Sequence, residues 1–575
     1  MLIRTALRAT LVLSLALSPV LVIAQATPGD LEAELRAIAA AAYPDDGPGA
    51  AVIVVRDGEV LLRDGFGMAH LELGVPIEPD MVFRIGSLTK QFTAVGILML
   101  VEEGSLALSD PLTKFLPDYP LGERVVTVEQ LIAHTSGIRS YTDLPQFSEM
   151  WRQDKTTEEL IATFSHEPFV FEPGARVQYN NSGYVLLGAI IEQVSGMPWH
   201  AFLHQRIFEP LGLSVTGLDQ TAAIIPRRVP GYTRAGYTFS PSSLPSRPSP
   251  GYTRAGDTWA NAAFLTMTLP HAAGALVSSV DDLARWDRAI AGGELLSAEG
   301  WARALTAFPL ADGSSTGYAA GWLVGHVGPH ASFEHGGGIH GFAAYGLHVP
   351  SERLFVAVLA NADMPPAMPS AVALDLAAAV LGLDLHPDEV AIDPARLDDY
   401  VGVYRIDDET TGTITREGDR LFAQSSGASR LEIYPIGEDR FALREAVIVI
   451  EFVREAGEVV AMNVIPRVGP PIRAVRTDEA PAEPPPAVAL DEAALQALAG
   501  TYRLQPNFEI TVSHAAGRLY AQATAQPRLA LIAESPTRFR FEAVDAVLEF
   551  TLDGGRASSL TLYQGGRVLV APRID

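Results

Sequence analysis

Arg84-Ile-Gly-Ser-Leu-Thr-Lys-Gln-Phe92 is the stretch from which the rest of the chain can be read. It holds one of only three lysines in 575 residues (Lys90, Lys114 and Lys155), in a chain whose other cationic positions are arginine. A lysine amine can lose its proton when buried and then act as a base; a guanidinium cannot. A serine hydroxyl is a weak nucleophile until a base takes its proton. On a helical turn Ser87 and Lys90, three residues apart, share a face. The free N–H groups at the start of such a helix favour negative charge developing beside them. A helix start carrying an exposed lysine would read the same way, so the pair needs support from elsewhere in the chain.

Two further segments supply it. The first is Phe171-Glu-Pro-Gly-Ala-Arg-Val-Gln-Tyr-Asn-Asn-Ser-Gly-Tyr184, a turn followed by Tyr179, Asn180 and Asn181 ahead of a helical run over 184–194 that Gly196 closes. A tyrosine held there near a lysine can shuttle a proton, and Asn181 can bind a carbonyl or orient Lys90. The structural alternative makes Asn181 or Ser182 a helix cap and Tyr179 a packed aromatic. The second is Phe333-Glu-His-Gly-Gly-Gly-Ile-His-Gly-Phe342, whose three adjacent glycines let the backbone approach a ligand and offer it N–H groups, or else form a flexible turn. The histidines at 326, 330, 335, 340 and 348 match no standard zinc spacing, and His200 and His204 lack the glutamate of His-Glu-x-x-His, so no metal site is expected.

In this order and at these distances the three segments resemble the penicillin-recognising serine hydrolases, which comprise class C β-lactamases, DD-peptidases, esterases and D-aminopeptidases. Ser87 and Lys90 match that superfamily's Ser-x-x-Lys, Tyr179 and Asn181 its Tyr-x-Asn, and His335-Gly336-Gly337 the His-x-Gly form of its third motif. The stretches Leu131–Gly137 and Ala273–Ala284 also look familial. The resemblance covers about residues 30–385 and implies Ser87 as nucleophile, with Lys90 and Tyr179 jointly moving its proton. It further implies the N–H groups of Ser87 and Gly338 as oxyanion hole, with Asn181, His335 and Gly337 lining the substrate site, and no cofactor. A lysine at the third motif would be a permanent cation suited to a β-lactam carboxylate, whereas histidine is mostly neutral near pH 7. Esters, amides or short D-amino-acid peptides are therefore the expected substrates, cell-wall fragments among them. The alternatives are a β-lactamase and a non-catalytic cell-wall or penicillin-binding sensor on the same scaffold.

Outward from these motifs, Ala50–Val55 and Glu59–Phe66 read as a hairpin turning at Asp57-Gly58, and Ala343–Val349 with Leu354–Ala360 as a second. Helical patterns lie at Leu31–Ala42, after Ser87 (Phe92, Val95, Leu98 and Val101 on one face, closed by Gly104) and at Ser279–Ala291. Hairpins at the two ends with helices between indicate an α+β domain, an antiparallel sheet flanked by helices and, by resemblance, β-lactamase/transpeptidase-like.

The C-terminal third is a tandem repeat: Leu397–Arg405 matches Leu495–Arg503, Leu421–Gln424 matches Leu519–Gln522, and Gly457 matches Gly555, each 98 positions apart. Two copies of one small all-β unit follow, each expected to close into a barrel, without catalytic clusters of their own. The expected boundaries are a signal peptide at 1–26, a hydrolase domain at 27–392, barrels at 393–478 and 490–575, and a Pro-rich linker at 479–489. Pro230–Gly236 recurs as Pro250–Gly256 around a Ser/Pro-rich stretch, which reads as a duplicated surface loop.

Arg4 and Arg8, the apolar run Leu11–Ile23 broken by Pro19, and Ala24-Gln-Ala26 read as a cleavable export signal, giving a secreted or periplasmic protein with no membrane span after cleavage. A formal charge of −26 repels phosphate backbones and speaks against nucleic acid as a partner. The absence of cysteine excludes disulfides, thiolate metal sites and a cysteine nucleophile.

Overall fold

The computed structural model describes residues 28–575 apart from 221, 235–257, 386, 407–409, 427–429, 444–446, 480–487, 506–507, 516, 525–527, 542–545 and 565–566. The expected export signal, the core of the Pro-rich linker and the second copy of the duplicated loop lie outside the described residues. Of the first copy, Tyr232–Arg234 pairs with Trp259–Asn261 as a short ribbon, and the Tyr232 hydroxyl donates to Glu72 at 2.8 Å.

Six antiparallel strands form the central sheet: β1 (Ala50–Arg56), β2 (Glu59–Phe66), β3 (Leu323–Val327), β4 (His330–Ile339), β5 (Phe342–Val349) and β6 (Leu354–Ala360). Their spatial order is β3-β4-β5-β6-β1-β2, so the first and last hairpins of the domain meet where β1 pairs with β6 from Ala50↔Ala360 to Arg56↔Leu354. Both faces are buried, which is why β1 is apolar from Ala50 to Val55 where a half-exposed strand would alternate. Val52 and Val54 face one layer of helices, α1 (Pro28–Ala42) and a C-terminal helix over Pro369–Leu381, through Leu35, Ala39, Val372 and Leu376. Ala51 and Ile53 face the other, larger layer, built around α2 (Thr89–Glu102) and α3 (Asn181–Ser195).

The sequence pattern gave α2 a single apolar face, but every residue from Thr89 to Leu100 is buried. Its run Val-Gly-Ile-Leu-Met-Leu-Val is apolar on all sides, and the helix lies inside the layer rather than on it. Gly104, with φ +72°, ends it. The expected helix at 279–291 forms over α4 (Val280–Gly292), with Ser279 capping it by accepting from the Asp282 N–H at 3.3 Å.

Eight strands from Gly402 to Arg476 form a closed antiparallel barrel, sealed where Tyr404 and Arg405 pair with Arg476 and Val475. The second copy, Gly500 to Pro572, repeats the eight-stranded order and joins its ends through the Tyr502–Arg573 bridge. Aromatic side chains are buried in both cores, Tyr400, Tyr404, Phe441 and Phe452 in one and Tyr502, Phe539 and Phe550 in the other. Tyr404 donates to the Tyr400 carbonyl at 2.7 Å and Tyr502 to the Leu498 carbonyl at 2.6 Å, the same contact 98 residues on. The constant offset ends at the last strand. Arg476 and Arg573, which bond the equivalent Val401 and Ala499 carbonyls, stand 97 apart. The first copy thus gains one residue between its last two strands, and the segment 467–471 there leaves the barrel.

Candidate active site

Ser87 sits in a 3-10 turn, Gly86–Leu88, that runs directly into α2. Residues three apart across this helical start share a face, which sets the side chain of Lys90 beside that of Ser87. Lys90 is wholly buried. Its Nζ lies 3.0 Å from Ser87 Oγ, 2.8 Å from Asn181 Oδ1 and 2.8 Å from the Ala273 carbonyl. Two of these three partners are carbonyl oxygens and only accept. A neutral amine has two hydrogens for them and a lone pair left for the hydroxyl of Ser87; a protonated amine fills all three. The arrangement is therefore satisfied in either protonation state. Burial lowers the Lys90 pKa well below its ordinary value, favouring the neutral form. The rings of Tyr179 and Tyr184 flank the amine, at 4.7 Å and 5.3 Å from centroid to Nζ.

Asn181 reaches Lys90 because the turn before α3 is fixed from several sides. The helix cap is Asn180, not Asn181 or Ser182: its side chain accepts from the Gly183 N–H at 2.8 Å and also donates to the Ile138 carbonyl. Capping by Asn180 leaves the Asn181 side chain to the site. There its Oδ1 accepts from Lys90 while its Nδ2 donates to Thr142 Oγ1 at 3.2 Å, and its backbone N–H goes to Ser140 Oγ at 3.2 Å. His134, with φ +60°, accepts the Asn180 N–H on Nδ1 at 3.1 Å and the Gln178 N–H on its carbonyl at 2.9 Å. Tyr179 keeps 36 % of its surface exposed. Desolvation raises its pKa and a hydrogen bond with Ser87 opposes that rise.

The glycine run lies along β4 against the Ser87 turn. The two-residue loop His340-Gly341 makes Ile339 and Phe342 a hydrogen-bonded pair, so Ile339, Gly337 and His335 direct their N–H groups to β5. Gly336 and Gly338 direct theirs to the opposite edge, beyond the end of β3, where the 3-10 turn packs. A side chain in this gap would force the two backbones apart: a Cβ on Gly86 would stand 2.9 Å from Gly338 N, and one on Gly337 only 2.0 Å from the Ile85 carbonyl oxygen. Gly86 also has φ +50°, which favours glycine. Gly338 N thus lies against the Ser87 turn, with Gly337 close to Ser87 N.

His335 is buried, with Nδ1 2.6 Å from the Gly336 carbonyl and Nε2 3.0 Å from the Tyr318 hydroxyl. The carbonyl only accepts, so Nδ1 carries the proton and Nε2 accepts from Tyr318. Burial, followed by the nearby Lys90, lowers its pKa to about 3, leaving it neutral at physiological pH. All seven residues singled out in the sequence therefore converge. Sequence reasoning missed His134, Ser140, Thr142, Ala273 and Tyr318, which support them. His134 and Ala273 do fall in the two stretches marked as familial, but no spacing rule gave them a role. Among the described residues no group of three His, Asp or Glu side chains could hold a metal ion.

A family model described as Beta-lactamase matches residues 37–380. The chain belongs to the beta-lactamase family. Residues 484–572 match a second model, a Domain of unknown function (DUF3471). Penicillin-binding protein 4* of Bacillus subtilis is 29% identical over 420 residues, 70% of this chain and 89% of that protein. The octameric penicillin-binding protein homologue from Pyrococcus abyssi aligns with 25% identity and a TM-score of 0.52 over 78% of this chain and all of that one. The D-amino acid amidase from Ochrobactrum anthropi SV3, at 23% identity and TM-score 0.52 over 61% of this chain and 99% of its own, shares the fold.

Proposed function

We propose that this member of the beta-lactamase family is an exported serine hydrolase that works through an acyl-enzyme on Ser87. Its substrates are amides or esters, D-amino-acid peptides or amides foremost. The observation that carries the reading is the placement of Lys90 Nζ, 3.0 Å from Ser87 Oγ with its two hydrogens held by Asn181 and Ala273. In the first step Ser87 Oγ attacks the carbonyl carbon and its proton passes to Lys90, with Tyr179 sharing that proton. The Ser87 and Gly338 N–H groups receive the oxyanion. Tyr179, the exposed member of the set, protonates the leaving group, and water then releases the acyl group by the reverse path.

A neutral His335 with Nε2 engaged by Tyr318 offers no cation to a substrate carboxylate, which weighs against efficient β-lactam hydrolysis. Preference for the D series rests on the resemblance in the third motif and the paired barrels. Export rests on the leader sequence, and a mature chain beginning near Thr27 by N-terminal sequencing would support it, an uncleaved Met1 oppose it. Among the described residues no helix is long and apolar enough to cross a membrane.

The deciding experiment is stopped-flow release of p-nitrophenol from p-nitrophenyl butyrate by the wild type and Ser87→Ala, followed by D- and L-alanine p-nitroanilides. A burst and turnover that vanish in the variant establish the acyl-enzyme, and faster release from the D-anilide supports the substrate class. The kinship with penicillin-binding protein 4* gives the second arm. Labelling of Ser87 by a fluorescent penicillin without turnover of any ester or amide would favour a penicillin-binding sensor instead.

A further inference from the structure

The two barrels are copies of one unit, so each serves as a reference for the other. In the second, strands Arg556–Gln564 and Arg567–Pro572 pair without interruption up to Gln564↔Arg567. In the first, pairing of the equivalent strands stops at Val464↔Ile472, and Arg467-Val-Gly-Pro-Pro471 turns away from the barrel. Pro470 and Pro471 have no N–H to give a ladder. The segment joins the hydrolase sheet instead. Val468 pairs antiparallel with Gly325 of β3, the His326 N–H donates to the Arg467 carbonyl at 3.1 Å, and the Gly469 N–H donates to the Val324 carbonyl at 2.9 Å.

From this added strand two contacts run to the supports of His335. The Arg467 guanidinium meets the Glu334 carboxylate with two parallel bonds of 2.7 and 2.8 Å. Glu334 is completely buried, adjoins His335 on β4, and also accepts from the Tyr345 hydroxyl at 2.5 Å. Gly325 leaves the room for this pair, since a Cβ there would stand 2.7 Å from the Glu334 carboxylate. The second contact is Pro470 against Gly317, where a Cβ would come within 2.6 Å of the proline ring. Gly317 precedes Tyr318, whose hydroxyl holds His335 Nε2.

We propose that the Arg467–Pro471 segment of the first barrel is part of the catalytic apparatus, with Arg467 the positioning residue that sets the β4 segment His335–Gly338 against the Ser87 turn. It touches no substrate. Without Arg467 the buried Glu334 carboxylate loses its compensating charge, and the strand that carries His335 and the Gly338 N–H loses the anchor at its near end. The role in catalysis rests on the reading of the site given above; the placement of the strand does not.

The test uses the full chain with Arg467→Met, compared with Arg420→Met on the exposed face of the same barrel. Amide hydrogen exchange is followed over 335–339 and over the barrel strand Arg440–Leu443, and the p-nitrophenyl butyrate burst is timed in parallel. Arg467→Met should speed exchange at 335–339 by at least about tenfold while leaving Arg440–Leu443 as in wild type. The acylation rate should fall at least about tenfold with substrate affinity little changed, and Arg420→Met should alter neither. Exchange that rises equally in both segments, as for a clasp that only stabilises, overturns the proposal, and so does unchanged exchange. Unchanged acylation in a wild-type background that turns over also overturns it. A wild type that never turns over while 335–339 still responds to Arg467→Met refutes the hydrolase reading and leaves the positioning of the strand in place.

Discussion

Adjacent glycines on β4 should respond in opposite ways to the same substitution. A Cβ added to Gly337 would stand 2.0 Å from the Ile85 carbonyl oxygen, 2.9 Å from its carbon and 3.3 Å from Ser87 N. Carbon and oxygen settle at separations of about 3.3 Å, so the strand and the Ser87 turn would have to part by about 1 Å. Both belong to buried backbone, and no flexible side-chain end can absorb the shift. The displacement opens the space between the Ser87 and Gly338 N–H groups. A misplacement of about 1 Å costs about 10²-fold in rate, and loss of one oxyanion donor about 10²–10³-fold. Gly337→Ala should therefore slow acylation by about two to three orders of magnitude and lower stability by about 1–3 kcal/mol, as overpacking does. At Gly336 the nearest atom to an added Cβ is the Tyr345 ring at 3.4 Å, an ordinary contact. Gly336→Ala should acylate close to the wild-type rate. Burst kinetics with p-nitrophenyl butyrate and a thermal melt of each variant decide the matter. Wild-type acylation by Gly337→Ala, or equal damage from both substitutions, would refute the account of the hole.

Two further outcomes follow from burial. Lys90 works as a base only when neutral, so kcat/KM should rise with pH along a single limb lying below the usual lysine range, because burial lowers its pKa. His335, with a pKa of about 3, adds no limb between pH 5 and 8. Lys90→Met should remove the limb and about 10²–10⁴-fold of the rate, and a limb that survives in Lys90→Met would point to a different base. The second concerns stability. Folding lowers the pKa of His271 and His335 to about 3 and of His340 to about 4, chiefly by desolvation. The unfolded chain then takes up these protons first, near pH 6.5. Stability is unaffected by them above that value and is lost as pH falls toward 4, at up to about 1.4 kcal/mol per pH unit for each histidine. Denaturant melts at pH 7, 6 and 5 should show the decline, and a flat profile across that range would refute it.

Much of the candidate site was legible because the proposed catalysis uses residue types whose spacing is local. Ser87 and Lys90 meet within one turn, Tyr179 and Asn181 flank one helix start, and His335 to Gly338 occupy one strand. The order of hairpins likewise gave the α+β sheet, since apolar runs of strand length stand at both ends of the domain. The remainder depends on long-range packing. That Asn180 takes the cap and frees Asn181 for Lys90 follows from the carbonyl of Ile138 and the ring of His134, both about forty residues upstream. The partner of His335 Nε2 is Tyr318, on a loop with no periodicity to mark it. The burial of α2 on every side could be read from its composition, yet the helical period drew attention to one face. In the repeat, the constant offset described the barrels well up to the one strand where it fails. There the identity of Arg467 means little until Glu334, 133 residues away, is placed beside it.

The strand that the first barrel lends to β3 also bears on how this chain can be divided. An outermost strand with unpaired N–H and C=O groups invites pairing with another molecule, and proteins protect such borders by covering them. Here the cover for Val324 and His326 comes from residues 467–469, well past the point near 392 where the hydrolase sequence gives way to the barrels. A fragment cut at that point keeps every proposed catalytic group yet exposes a bare β-border and an uncompensated carboxylate at Glu334. The shortest piece of this protein that keeps this border covered therefore includes the first barrel.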